Sequence, residues 1–146
     1  MGKAKLKSDQ LRKRKKIEEL HRSSQQWKSM LLFIEDEMIF IDRLLNSYVF
    51  EPDTPNLFER LQDYLRRLKE SKSKKSLVKH NISNHENHLG GILECKDAVC
   101  DEEYYRKHDT LGTEVMEFVS EFQDLKSEIF NYAGGILKKR RPRTKE

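Results

Sequence analysis

Histidine and carboxylate are the side chains here whose spacing could do chemistry. Glu18-x-x-His21 and His85-x-x-His88 each put two ligand-type side chains three residues apart, which is one face of a helix. If the two segments run antiparallel about residue 52, facing positions sum to about 105, so His21 lies level with residue 84 and His85 with residue 20. Glu18, His21, His85 and His88 then share one layer, the way helical bundles assemble metal sites from facing helices, and zinc accepts both imidazole nitrogen and carboxylate oxygen. A di-iron site, however, needs a second Glu-x-x-His and further glutamates, and no inward carboxylate is evident on the third helix. The plainer expectation is of histidines that tolerate water at the edge of a packed seam, with no metal and no cofactor.

Glu37 interrupts an apolar series of Met30, Phe33, Phe40 and Leu44. A charge there costs free energy unless it is paired, and Arg67 or the Tyr64 hydroxyl is the expected partner. This favours a structural ion pair over a general base. The sequence shows no Ser-His-Asp or Cys-His set, no glycine-rich phosphate loop and no cofactor fingerprint, so a non-enzymatic protein is expected. Cys95 and Cys100 are the only cysteines, too few to staple a secreted scaffold or to complete a four-cysteine zinc site. Five apart and off one helix face, they read as small buried or half-buried apolar residues in a reduced, cytoplasmic setting.

The net charge of +4 conceals a segregated layout. Residues 1–16 carry eight Lys/Arg against one Asp, and residues 138–146 carry six against one Glu. Between them lies an acidic chain, itself interrupted by the basic stretch 66–79. Arg12, Lys13, Arg14, Lys15 and Lys16 at one end, and Lys138, Lys139, Arg140, Arg141 and Arg143 at the other, are therefore candidates for gripping phosphates. Without interleaved aromatics to stack on bases, such binding would be nonspecific. The run 138–143 would also serve as a nuclear address in a host with a nucleus. The N-terminus lacks the apolar core of a secretory signal and the Ser/Thr of a myristoylation signal. The longest apolar run, Met30 to Ile34, falls far short of the ~18 residues a membrane span needs.

The elements that must position these residues are helices. From Ile17 through Leu20, Ser24, Trp27, Leu31, Ile34, Met38, Ile41, Leu45 and Tyr48 the spacing alternates between three and four, the seam of a helix packed on others. The Met30–Leu44 series lies beside it and widens the stripe enough to touch two partners. Thr54 as N-cap and Pro55 at the first helical position open a second helix, whose register of Leu57, Leu61, Tyr64, Leu68, Val78, Ile82, His85, Leu89, Ile92 and Val99 keeps phase through the basic stretch. A break at 69–76 or at Gly90-Gly91 would give a four-helix up-down bundle instead. Acidic Asp101, Glu102 and Glu103 suit the start of a last helix, with a seam of His108, Leu111, Val115, Phe118, Phe122, Leu125, Ile129, Tyr132 and Ile136. Gly134-Gly135 is expected to end it with a left-handed cap.

Matched lengths and facing charges favour three helices. Arg66 and Lys69 would meet Glu35, Asp36 and Glu37, while Lys72, Lys75 and Lys79 would meet Glu121, Asp124 and Glu128. The expected fold is thus all-α: an antiparallel bundle of three long helices, about 9–50, 55–98 and 102–134, with a basic tail 1–8 and a disordered basic tail 138–146.

Two stretches carry a resemblance. Trp27-x3-Leu31-x-Phe33-x2-Asp36-Glu37 and Lys107-His108-x2-Leu111-x3-Val115-x2-Phe118-x3-Phe122-x2-Leu125-x2-Glu128 resemble an uncharacterised family of small cytosolic bacterial long-helix bundle proteins, over helices one and three. The resemblance implies a fold and carries no activity. The function expected from the residues is interaction with a protein partner or with a second copy in a homo-oligomer. Nonspecific nucleic-acid binding through the termini is the alternative.

Overall fold

The computed structural model describes residues 2–51, 55–92 and 98–139. The chain is all-α, with three long helices: α1 (Gly2–Leu45), α2 (Pro55–Asn87) and α4 (Ala98–Lys139), plus a single turn α3 (Leu89–Ile92). Among the described residues there is no strand.

Residues 66–79 are helical throughout. Tyr64, Leu68, Val78 and Ile82 are buried on either side of the polar stretch, so one apolar phase runs through it and no four-helix rearrangement occurs. Five expected boundaries differ, one of them the start of α4, which is Ala98 where about 102 is expected. The N-terminal tail is helix from Gly2, because good helix formers continue α1 backwards without a breaker. That helix ends at Leu45, and a 3-10 turn, Tyr48–Phe50, follows, capped by the Ser47 side chain accepting from the Val49 amide. α2 stops at Asn87, and Gly90 and Gly91 fall in α3, where two glycines weaken a long helix by about 1 kcal/mol each. α4 runs through Gly134-Gly135, and none of the described glycines has a positive φ. Buried Ile129 and Ala133 and half-buried Ile136 hold that seam in phase past the glycines. Lys138 and Lys139 are therefore helical. Thr54 and residues 140–146 lie outside the described residues.

The chain divides into two compact units. Unit 1 comprises Met1–Leu32 and Ser76–Met116, and unit 2 comprises Phe33–Lys75 and Glu117–Glu146. In unit 1, Leu20, Ile92 and Tyr104 form a buried cluster, with Ile17, Leu89 and Tyr105 packed against it. In unit 2 the core holds Ile34, Ile41, Leu68, Phe118, Phe122 and Ile129, each at most 2% exposed.

Cations of α2 in unit 2 are matched from both neighbouring helices, with partners other than those expected. Lys75 reaches Glu35 (3.3 Å) and Lys72 reaches Asp42 (3.8 Å) on α1. Arg67 reaches Glu128 (2.8 Å) and Lys74 reaches Glu121 (2.6 Å) on α4. Arg66 instead binds Asp63 and Glu70 within its own helix, since neighbours three and four residues away compete locally. Glu37 pairs with Lys126 of α4 through one carboxylate oxygen. Its other oxygen is buried without a hydrogen-bond partner. The expected Arg67 is drawn to Glu128.

Candidate functional site

The histidine layer lies in unit 1 and differs from the expected one. His85, on α2, is 8% exposed and turns toward α4, where its Nε2 lies 2.9 Å from Nδ1 of buried His108. One of these nitrogens must donate and the other accept, so at most one of the two rings can be fully protonated while the bond persists. Aromatic rings close the pair on both sides. Tyr104 stacks on His85 with centroids 4.2 Å apart and planes 13° from parallel, and its hydroxyl donates to the His85 carbonyl oxygen at 3.0 Å. Trp27 of α1 stacks on His108 at 4.6 Å. Gly112 makes that approach possible, because a Cβ there would stand 3.1 Å from Trp27 Cζ2. Four rings from three helices thus form one column.

Burial sets the electrostatics of the column. It pushes the His85 pKa from 6.5 down to about 4, with the neighbouring His108 adding to the effect. Burial also lowers the His108 pKa, so both shifts disfavour the charged form of the imidazole. The Tyr104 hydroxyl is pushed up to about 12 by burial, which keeps it a donor.

The remaining residues of the expected layer do not join the column. His88 is exposed, with Nδ1 at 2.6 Å from the Asn84 carbonyl oxygen, and that oxygen can only accept, so Nδ1 carries the proton. His21 is exposed and sits 3.5 Å from Glu86, which also accepts from Gln25 (3.0 Å) and from Lys28. Glu18 is exposed. Among the described residues no three His, Cys, Asp or Glu side chains are grouped to hold a metal ion. From sequence, His108 is an ordinary seam position and Tyr104 is not singled out. Yet the seam of α4 begins at His108, and a histidine in a seam is the signal that marks a buried polar partner.

A groove of about 630 Å³ runs beside the column, lined by buried His85, Tyr104 and Leu111 and by exposed Asn84, His88 and Lys107. Arg106, Lys107, Glu103 and Glu114 all line it, and this mixed charge selects no ligand class. Cys100 also lines the groove. It is exposed and disulfide-bonded, which corrects its reading as a small buried apolar. Cys95 lies outside the described residues.

The basic candidates fall in two places. Arg12, Arg14 and Lys15 are exposed on α1, Lys13 reaches Asp101 at 3.4 Å, and Lys16 lies 5.5 Å from the centre of the Tyr105 ring. Lys138 and Lys139 are exposed on the last turn of α4, while Arg140, Arg141 and Arg143 lie outside the described residues.

Unit 2 carries a different surface. The second apolar series of α1 makes a stripe wide enough for two partner helices or for a portion left unshared, and here Phe33 is 65% and Phe40 59% exposed. The first seam faces the α2 and α4 segments of the unit, and among the described residues the second series is covered only in part, with Met30, Glu37 and Leu44 half-buried. Phe40 meets Phe130 of α4 edge-on at 6.0 Å, and Phe130 is itself 38% exposed. In comparisons with family models, curated proteins and solved structures, no match to this chain was found.

Proposed function

We propose that this chain is a non-enzymatic interaction module that pairs with a second copy of itself through the aromatic stripe of unit 2. The observation carrying this reading is the exposure of Phe33 and Phe40, seven residues apart on α1, together with Phe130 edge-on to Phe40. Large apolar side chains grouped on a surface mark interaction sites, whereas scattered ones do not. The charges within the stripe favour self-association. Glu37 and Lys126 carry opposite signs, and a two-fold interface must be self-complementary, whereas a stripe with charge of one sign would select a partner of the other.

Light scattering across a concentration series tests the proposal. The unaltered chain should shift from monomer to dimer, and Phe33→Ser with Phe40→Ser should remain monomeric with unchanged helicity, since exposed sites away from the core usually shift stability by under ~0.5 kcal/mol. A chain that stays monomeric throughout, or a dimer that survives both substitutions, would remove the stripe from this role.

Among the described residues no helix is long and apolar enough to cross a membrane. A cytoplasmic setting rests on the cysteine count. The disulfide at Cys100 stands against it, because disulfides are rare in reducing compartments. Thiol alkylation during lysis would discriminate: a blocked Cys100 means a reduced pool.

A further inference from the structure

We propose that the N-terminal part of α1 in unit 1 is a nucleic-acid-binding helix that grips duplex phosphates, without reading sequence, through Lys7, Arg12, Arg14, Lys15 and Arg22. This surface is separate in residues and chemistry from the aromatic stripe.

The first observation is the density of cations on this segment. Between residues 7 and 22 α1 carries seven Lys/Arg against Asp9, Glu18 and Glu19. Lys13 and Lys16 lie against α4, at Asp101 and Tyr105. The five named cations are all exposed.

The second is how weakly the segment is packed. Ile17 is half-buried and Leu20 is the first fully buried apolar side chain described on α1. The only apolar side chain in residues 7–16 is Leu11, which is 59% exposed. The helix before Ile17 therefore contributes little to the core, and its cations can be approached from more than one side.

The third is a conflict of sign. Helix N-termini carry partial positive charge and favour acidic residues, yet the first turn of α1 has none, and the sequence places Lys3 and Lys5 there, with Lys7 in the next turn. Such a pattern works against the helix itself and in favour of an anionic partner.

The chemistry then selects among polyanions. A bilayer-surface helix needs a wide apolar face opposite its basic one, and Leu11 alone does not supply it. Single-strand binders interleave large aromatic rings to stack bases, and residues 7–22 contain no Phe, Tyr or Trp. A duplex presents one negative charge per ~1.7 Å of its axis, and sixteen residues of helix rise ~24 Å, so several phosphates come within reach of the five cations.

Fluorescence anisotropy of the full chain with a labelled random-sequence duplex of about 20 base pairs tests this. Five phosphate contacts at ~0.9 each predict a log–log salt slope of about −4.5, a loss of about 500-fold in affinity from ~50 to ~200 mM salt. R12E/R14E/K15E should shallow the slope by about 3 and weaken binding at least tenfold, whereas K138E/K139E in unit 2 should leave both within twofold. The milder R12Q/R14Q/K15Q keeps the test valid if charge reversal disturbs α1, with circular dichroism checking the fold. Absence of binding at low salt, an unchanged slope in the triple variants, an equal loss in K138E/K139E, or tighter binding to phosphatidylserine vesicles than to the duplex would each overturn the proposal.

Discussion

Acidification should loosen unit 1 well above the range where carboxylates titrate. In the folded chain His85 titrates near about 4 against an ordinary value of 6.5, so between those values the unfolded chain binds the extra proton and stability falls as pH falls. Between pH 7.5 and 5.0 this linkage amounts to about 2 kcal/mol, at ~1.4 kcal/mol per tenfold change in proton activity. His108, also lowered by burial, acts in the same direction. Glu86 favours the charged form of His85, but its effect ranks below burial and below His108. Urea unfolding at the two pH values, followed by the emission of Trp27, reads the change where it arises, since the indole stacks on His108. His85→Phe preserves a ring against Tyr104 and removes the titrating group, so it should halve the pH dependence or better. A stability constant to within ~0.5 kcal/mol across this window, or a pH dependence equally steep in His85→Phe, would refute the account of a neutral buried pair.

Ile41 is 0% exposed in the core of unit 2, so Ile41→Ala should cost about 2–5 kcal/mol, read by chemical denaturation at neutral pH. Gly112→Val should displace Trp27 from the ring column, since even a Cβ at Gly112 would meet Trp27 at 3.1 Å. A loss of about 1–3 kcal/mol with a red shift in tryptophan emission is the expected outcome.

Element type was the most legible part of the sequence and partner identity the least. The helix across 66–79 follows from a spacing that never slips, even where Ser71 and Lys75 replace apolar residues. Register is only nearly readable. Arg67–Glu128 and Lys74–Glu121 both sum to 195, where a turn near residue 100 implies about 200. That difference of five residues is about 1.4 helical turns, and it reassigns nearly every ion pair, because acidic residues recur so often along α4 that several registers are electrostatically acceptable. The histidine layer shows the same limit in reverse. Two motifs with ligand spacing, on α1 and α2, point toward each other, but the buried partner of His85 is on α4. The sum of 195 places His85 level with residue 110, within a turn of His108, so the pairing is readable once all three helices are aligned together. The exposure of Phe33 and Phe40 is not readable in this way. An apolar periodicity shows that a face is suited to burial, and leaves open whether the chain itself supplies the cover.

The turn after α1 bears on how this chain can be rewired. Val49 and Phe50 are buried, and Phe50 meets Tyr64 edge-on at 6.4 Å and Tyr132 at 6.2 Å. The connection out of α1 is therefore rooted by a side chain lodged in the core of unit 2, unlike a polar hairpin tip that can be cut, lengthened or tagged without loss. For circular permutation or domain insertion, residues 48–50 are among the least permissive places to open the chain, because new termini there would withdraw an aromatic ring from the interior along with the turn.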